Sequence, residues 1–227
     1  MDKCGFLEVL ERVSRRSAPG PHPSFTEAHV LMALEAISRG CVGRFRLSER
    51  LGLGPGVART LIRHLRAEGL IEVSRAGMNL SSLGWKVLGE AESMIAGGAE
   101  VPRSPLTPDP SNFAVTVKAG STIAEKGIER SLICEAVKAG ASWVTTLIFE
   151  GGGIRMPGSG RVVEGADEAL EGLVRKLKPG SGDVIIIGGG ENLLAAELGA
   201  KMAAITLLRM MTRRQRGGNL QHAYACR

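Results

Sequence analysis

The residues with the clearest chemical purpose are cations spaced along one predicted helix. Residues 56–68 have helical periodicity, and their apolar side chains recur on a single face. The opposite face carries four polar residues: Arg59, Thr60, Arg63 and Arg66. Arginine offers paired donors that fit guanine O6 and N7 or a phosphate group. The pattern predicts a helix that enters the major groove of DNA, and the alternative is a solvated amphipathic helix whose arginines only keep it soluble.

Two further arginines flank this helix and extend the predicted DNA surface. Arg50 lies in a short predicted helix, residues 47–51, and Arg75 lies at a turn between two short strand patterns, residues 70–73 and 78–80. The predicted helix starts at Gly54-Pro55-Gly56, without a Ser or Thr as N-cap. A phosphate contact at this point would therefore come from backbone amides or from Arg50 and Arg59.

The distribution of charge agrees with a nucleic-acid surface. The net charge is +6, and between Arg39 and Lys86 nine cations face only three acidic residues. A second basic stretch, residues 209–227, contains five arginines and no acidic residue. Clustered cations are the electrostatic footprint of a DNA-binding protein.

A glycine run in the C-terminal half is the only other candidate site. Gly188, Gly189 and Gly190 follow the apolar run 183–187 and precede a helical pattern over 191–211. Backbone amides at such a strand-to-helix turn can approach a phosphate or carboxylate, which would make a small anionic effector the ligand. The preferred interpretation is a purely structural turn, since nucleotide-binding spacing is missing and Glu191 would repel an anion.

The sequence shows no pattern of catalysis, metal binding or membrane insertion. The four cysteines and four histidines are dispersed, so we expect reduced thiols, no metal and no cofactor. Neither a catalytic constellation nor an apolar run of membrane length nor a secretory signal is visible. We therefore expect a cytoplasmic protein that is not an enzyme.

The elements that would position these residues fall into two domains. Ser24 and Glu27 form a predicted capping box at the start of an N-terminal helix. Residues 1–96 are predicted to form a winged helix-turn-helix, 97–111 a proline-rich linker, 112–211 an α/β sandwich, and 212–227 a basic tail. The predicted class is α+β, with a C-terminal two-layer sandwich whose helices cover one face of the sheet.

The segment RLSERLGLGPGVARTLIRHLRAEGLIEVSRAGMNLSSLGWKVL resembles the winged helix-turn-helix of prokaryotic transcription regulators. The segments KGIERSLICEAVKAGASWVTTLIFEGGGIRMPG and DVIIIGGGENLLAAELGAKMAAITLL resemble the uncharacterised α/β domain that follows a winged helix in a family of archaeal regulators. This second resemblance implies an archaeal source but supplies no ligand or catalytic residue.

Together, the residues and the resemblance predict a transcriptional regulator that binds double-stranded DNA as a homodimer. The C-terminal domain would serve dimerisation or small-molecule sensing. Two alternatives stay open: a protein-interaction adaptor, and a small-molecule or nucleotide-binding enzyme with an accessory winged helix.

Overall fold

The computed structural model describes residues 5–15, 23–40, 42–158 and 168–215. The chain divides into two compact units, Met1–Glu92 and Ser93–Arg227. The first is mostly helical and the second contains a five-stranded sheet, which confirms the α+β class. Among the described residues, no helix is both long and apolar enough to cross a membrane.

The described residues of the N-terminal unit form five helices and a two-stranded hairpin. Its elements are α1 (Gly5–Ser14), α2 (Glu27–Ser38), α3 (Arg44–Arg50), α4 (Pro55–Ala67), β1 (Ile71–Ser74), β2 (Gly77–Leu80) and α5 (Ser82–Met94). Leucines from four of the helices and from the strand region are completely buried, among them Leu10, Leu34, Leu47, Leu61 and Leu70. This shared apolar core fixes α4 against its neighbours.

The capping box of helix α2 lies two residues later than predicted. The N-cap is Thr26 rather than Ser24, and the residue three positions on is His29 rather than Glu27. The backbone N–H of Thr26 donates to Nδ1 of His29 at 3.1 Å, so the imidazole does what Glu does in the usual box. The prediction was wrong because it assumed Glu or Gln in that role.

The buried histidine at this cap makes the N-terminal unit sensitive to acid. Burial lowers the pKa of His29 from 6.5 to about 4. The unfolded chain therefore takes up a proton near pH 6.5, whereas the folded chain does so only near pH 4. The contribution of the neutral, buried imidazole to the free energy of unfolding is complete above pH 6.5 and is lost as the pH falls towards 4. We expect the free energy of unfolding to drop by about 2 kcal/mol between pH 7 and 5 from this group alone.

The variant His29→Gln isolates that contribution, because glutamine can accept the Thr26 N–H without titrating. Chemical denaturation at a series of pH values should show a shallower loss of stability for His29→Gln than for the native chain. Identical pH profiles for the two proteins would contradict the assignment.

The C-terminal unit contains both strands and helices. Its elements are β3 (Ile95–Val101), β4 (Ser111–Val117), α6 (Ser121–Ala124), α7 (Glu129–Lys138), β5 (Trp143–Glu150), β6 (Gly153–Arg155), α8 (Glu168–Leu177), β7 (Val184–Gly190) and α9 (Leu193–Gln215). The strand order is β3-β4-β7-β5-β6, and every neighbouring pair is antiparallel. Helix α9 runs through residues 212–215 of the predicted basic tail, and the rest of that tail lies outside the described residues.

The predicted linker is partly a strand. Residues 97–111 were expected to connect the domains, yet Ile95–Val101 forms the edge strand β3 and pairs with β4. Gly97 has a φ of +67° at an irregularity in this pairing, which hid the strand pattern. Ala99 is buried in the same core cluster as Leu177 of α8, so burial on the sheet outweighs the low strand propensity of the glycines.

Helices lie on both faces of the sheet, whereas the sequence predicted them on one. Ile185 and Ile187 of β7 share a core cluster with Leu173 of α8. The alternate residues of β7 point to the other face of the sheet. Helix α9 packs on that face and approaches Gly188 closely. Helix α7 packs against α9 and carries Cys134. This cysteine is disulfide-bonded, contrary to the expected reduced thiols.

The glycine run belongs to the interior of the sheet, not to a strand-to-helix turn. Gly188, Gly189 and Gly190 are the last residues of β7, are buried, and pair with β4. A Cβ on Gly188 would overlap the backbone of α9, and one on Gly190 would lie 3.0 Å from Ala195 Cβ. The sequence analysis placed either an anion-binding site or a structural turn at these glycines. Both predictions were wrong, because the glycines allow close packing and strand pairing.

Candidate nucleic-acid interface

Helix α4 has the two faces that the sequence predicts. Ala58, Leu61 and Leu65 are fully buried, while Val57 and Ile62 are partly buried at the edge of this face. The other side presents three exposed arginines: Arg59, Arg63 and Arg66. Within the described residues none of these arginines forms an ion pair, so their donors are available to a ligand.

Helix α4 is held in place by a buried histidine that sequence reasoning missed. His64 is 6% exposed, and its Nδ1 lies 2.8 Å from the carbonyl oxygen of Val13 in α1. Its ring also meets that of Phe25 edge to face at 5.8 Å. A polar residue on the apolar side of the helical pattern was the available signal. These contacts limit rotation of α4 about its axis and thereby fix the direction of its arginines.

The start of α4 offers backbone amides instead of a side-chain cap. Gly54 is the N-cap without a side-chain hydrogen bond, and Pro55 occupies the first helical turn. Unsatisfied amides at a helix start favour anions such as phosphate. Thr60 is half-buried, and its hydroxyl donates to the carbonyl oxygen of Gly56 at 3.2 Å. Its oxygen can still accept a hydrogen bond, but its proton is already used.

The hairpin forms the predicted wing. Strands β1 and β2 pair in register, and Val42 bridges Met78 on the other side of β2. Arg75 is exposed in the turn between them. The Ser74 hydroxyl accepts from the Ala76 N–H and donates to the Gly77 carbonyl, each at 3.2 Å. The turn is thus internally hydrogen-bonded and presents one cation at its tip.

Helix α3 begins with exposed residues that the sequence analysis did not include among the predicted DNA contacts. Arg44 and Arg46 are exposed, as is Arg50, the predicted contact at the end of the same helix. Between the first two stands Phe45, which is 68% exposed, with the Arg44 guanidinium 5.3 Å from its ring centre. An aromatic residue flanked by arginines could have been recognised in the sequence as a candidate nucleic-acid contact.

This arrangement of a short helix, a tight turn, an arginine-bearing helix and a two-stranded wing defines a winged helix-turn-helix domain. Residues 29–95 match the family described as the CggR N-terminal DNA-binding domain. Residues 109–207 match a domain of unknown function, DUF4443. The resemblance to winged helix-turn-helix regulators with an uncharacterised C-terminal domain is confirmed, and the N-terminal unit is of a DNA-binding class.

A solved structure with a similar fold is a hypothetical protein from Pyrococcus horikoshii OT3. It has a TM-score of 0.62 and 23% sequence identity, and the match covers 84% of this chain and 95% of that chain. At this level of identity the likeness concerns the fold alone. No curated protein matches the chain.

Proposed function

We propose that the protein is a transcriptional regulator that reads double-stranded DNA with α4 and contacts the backbone with its wing. The observation that carries this proposal is the exposed row of Arg59, Arg63 and Arg66 on a helix whose other face is buried. Such a helix fits the major groove, where arginine can pair with guanine. The match to a DNA-binding family covers the same residues.

We propose that the C-terminal domain pairs subunits or senses a small molecule. One winged helix makes few base contacts, and a two-fold dimer doubles them over a palindromic site. We propose a cytoplasmic homodimer without catalytic activity. An archaeal origin, implied by the resemblance of the C-terminal half, belongs to the same proposal.

A protein-interaction adaptor is the second candidate, and one observation favours it. Leu83 and Trp85 at the start of α5 are 45% and 54% exposed. Exposed apolar residues of this size are common at protein interfaces. In an adaptor these residues, rather than the arginines of α4, would make the functional contacts.

The salt dependence of duplex binding separates the two candidates. DNA binding releases counterions, so the logarithm of the association constant should fall linearly with the logarithm of salt concentration, by about 0.9 per phosphate contacted. The variant Arg175→Ala, which removes an exposed arginine on α8, is the matched control and should keep the native slope. A binding curve that is flat in salt would favour the adaptor.

A further inference from the structure

Helix α5 carries a large aromatic ring on its solvent-exposed face. The core face of the helix consists of buried residues: Gly84, Val87, Leu88 and Ala91. Trp85, Gly89 and Glu92 are exposed, and at about 100° per residue they lie within about 60° of one another on the opposite face. Trp85 is 54% exposed. A solvated helix face usually carries polar side chains, so this ring is a candidate contact for a second molecule.

Gly89 leaves an open recess one turn beyond Trp85. A Cβ added at Gly89 would meet no atom within 4 Å, and the backbone φ of this residue is not positive. Neither packing nor backbone conformation in the described residues therefore requires glycine here. Glycine weakens the interior of a helix relative to alanine. A group from another molecule that approaches the backbone of α5 closely gives this glycine a purpose.

One exposed charge of α5 opposes the dipole of the helix. Glu92 lies in the last turn, which contains no basic residue. A negative charge is unfavourable at the C-terminal end of a helix and favourable at the N-terminal end. An antiparallel second copy of α5 would bring its own N-terminal end next to Glu92. The charge of Glu92 thus complements another copy of α5 rather than the helix that carries it.

We propose that α5 pairs antiparallel with α5 of a second copy of this chain, with Trp85 of each copy over Gly89 of the other. The ring and the recess lie one turn apart on the same helix, so a two-fold axis level with Val87 fills both recesses at once. The same axis places Glu92 level with Ser82, the first residue of α5 in the other copy. The inference rests on the proposed homodimer and locates its interface, which leaves the C-terminal domain for sensing. It also gives Trp85 a partner other than the target of an adaptor.

Exchanging the ring and the recess tests this geometry. In the full-length protein, Gly89→Trp places two rings in collision and Trp85→Ala removes the ring. Each single variant should therefore raise the dimer Kd by roughly tenfold or more in sedimentation without DNA. The double variant Trp85→Ala, Gly89→Trp carries the ring and the recess in exchanged positions, and the same two-fold axis brings them together again. Its Kd should return to within roughly threefold of the native value.

Gly172→Trp on α8 is the matched control, because a Cβ at this helical glycine also meets no atom within 4 Å. It should leave the dimer Kd unchanged. Thermal unfolding shows that each variant is folded, as expected for exposed positions. A native protein that is monomeric at all concentrations would overturn both the homodimer and this interface. A native dimer that Gly89→Trp does not weaken, or a folded exchange variant that stays monomeric, would overturn the pairing of α5 alone.

Discussion

Replacing Gly188 by alanine is expected to lower the stability of the C-terminal domain by about 3 kcal/mol, at the upper end of the cost of overpacking. The added Cβ would lie 2.7 Å from the backbone nitrogen of Ala200 and closer still to the carbonyl oxygen of Ala196. Both atoms belong to the backbone of α9, so no side-chain rotation relieves the overlap. The helix and β7 would have to move apart, and chemical denaturation should show this domain unfolding at lower denaturant concentration.

Gly172 provides the matched control for that substitution. It lies within α8, and a Cβ there would meet no atom within 4 Å. Alanine is a better helix former than glycine, so Gly172→Ala should raise stability by up to about 1 kcal/mol. If Gly188→Ala and Gly172→Ala had the same effect, the close contact of α9 with β7 would not exist in solution.

Removing two arginines from α4 is expected to abolish most of the sequence preference for DNA. Arg59 and Arg63 lie one turn apart on the exposed face of the helix, where both can reach base edges in the major groove. A paired contact of arginine with guanine contributes ~1–3 kcal/mol, so the double variant should lose ~2–6 kcal/mol on the cognate site and much less on random DNA. Titration of both duplexes at one salt concentration measures the difference.

The wing variant Arg75→Ala serves as the comparison. A cation at the tip of a wing lies along the DNA backbone, so its loss should weaken binding to cognate and random DNA alike and lower the salt slope by about one. Both proteins are expected to remain folded because the substituted side chains are exposed. If both variants bound DNA at low salt as tightly as the native protein, neither α4 nor the wing would belong to the DNA-binding surface.

The recognition helix could be predicted from sequence because its signals are local. Burial of Leu61 and Leu65 and exposure of Arg59 and Arg63 both follow from helical periodicity within thirteen residues. The wing likewise follows from two short strands and the turn between them, since hairpin pairing involves near neighbours in sequence.

The features that were missed depend on contacts between distant residues. Strand β3 contains two adjacent glycines and becomes a strand only because β4 and α8 cover its apolar side chains. The run of glycines in β7 resembled a turn, and only its pairing with β4 and β5 shows that it is a strand. His64 acts as an anchor through Val13, fifty-one residues away. Sequence periodicity carries no information on such partners.

The most direct test of the DNA-reading role of α4 is a selection of genomic fragments by the full-length protein, followed by sequencing. The account predicts that the recovered fragments share a short motif containing guanines, repeated as two half-sites if the protein is a dimer. It also predicts that the Arg59→Ala, Arg63→Ala double variant recovers fragments without this motif. If the native protein and the double variant recover the same unenriched fragments, α4 does not read DNA and the account is contradicted.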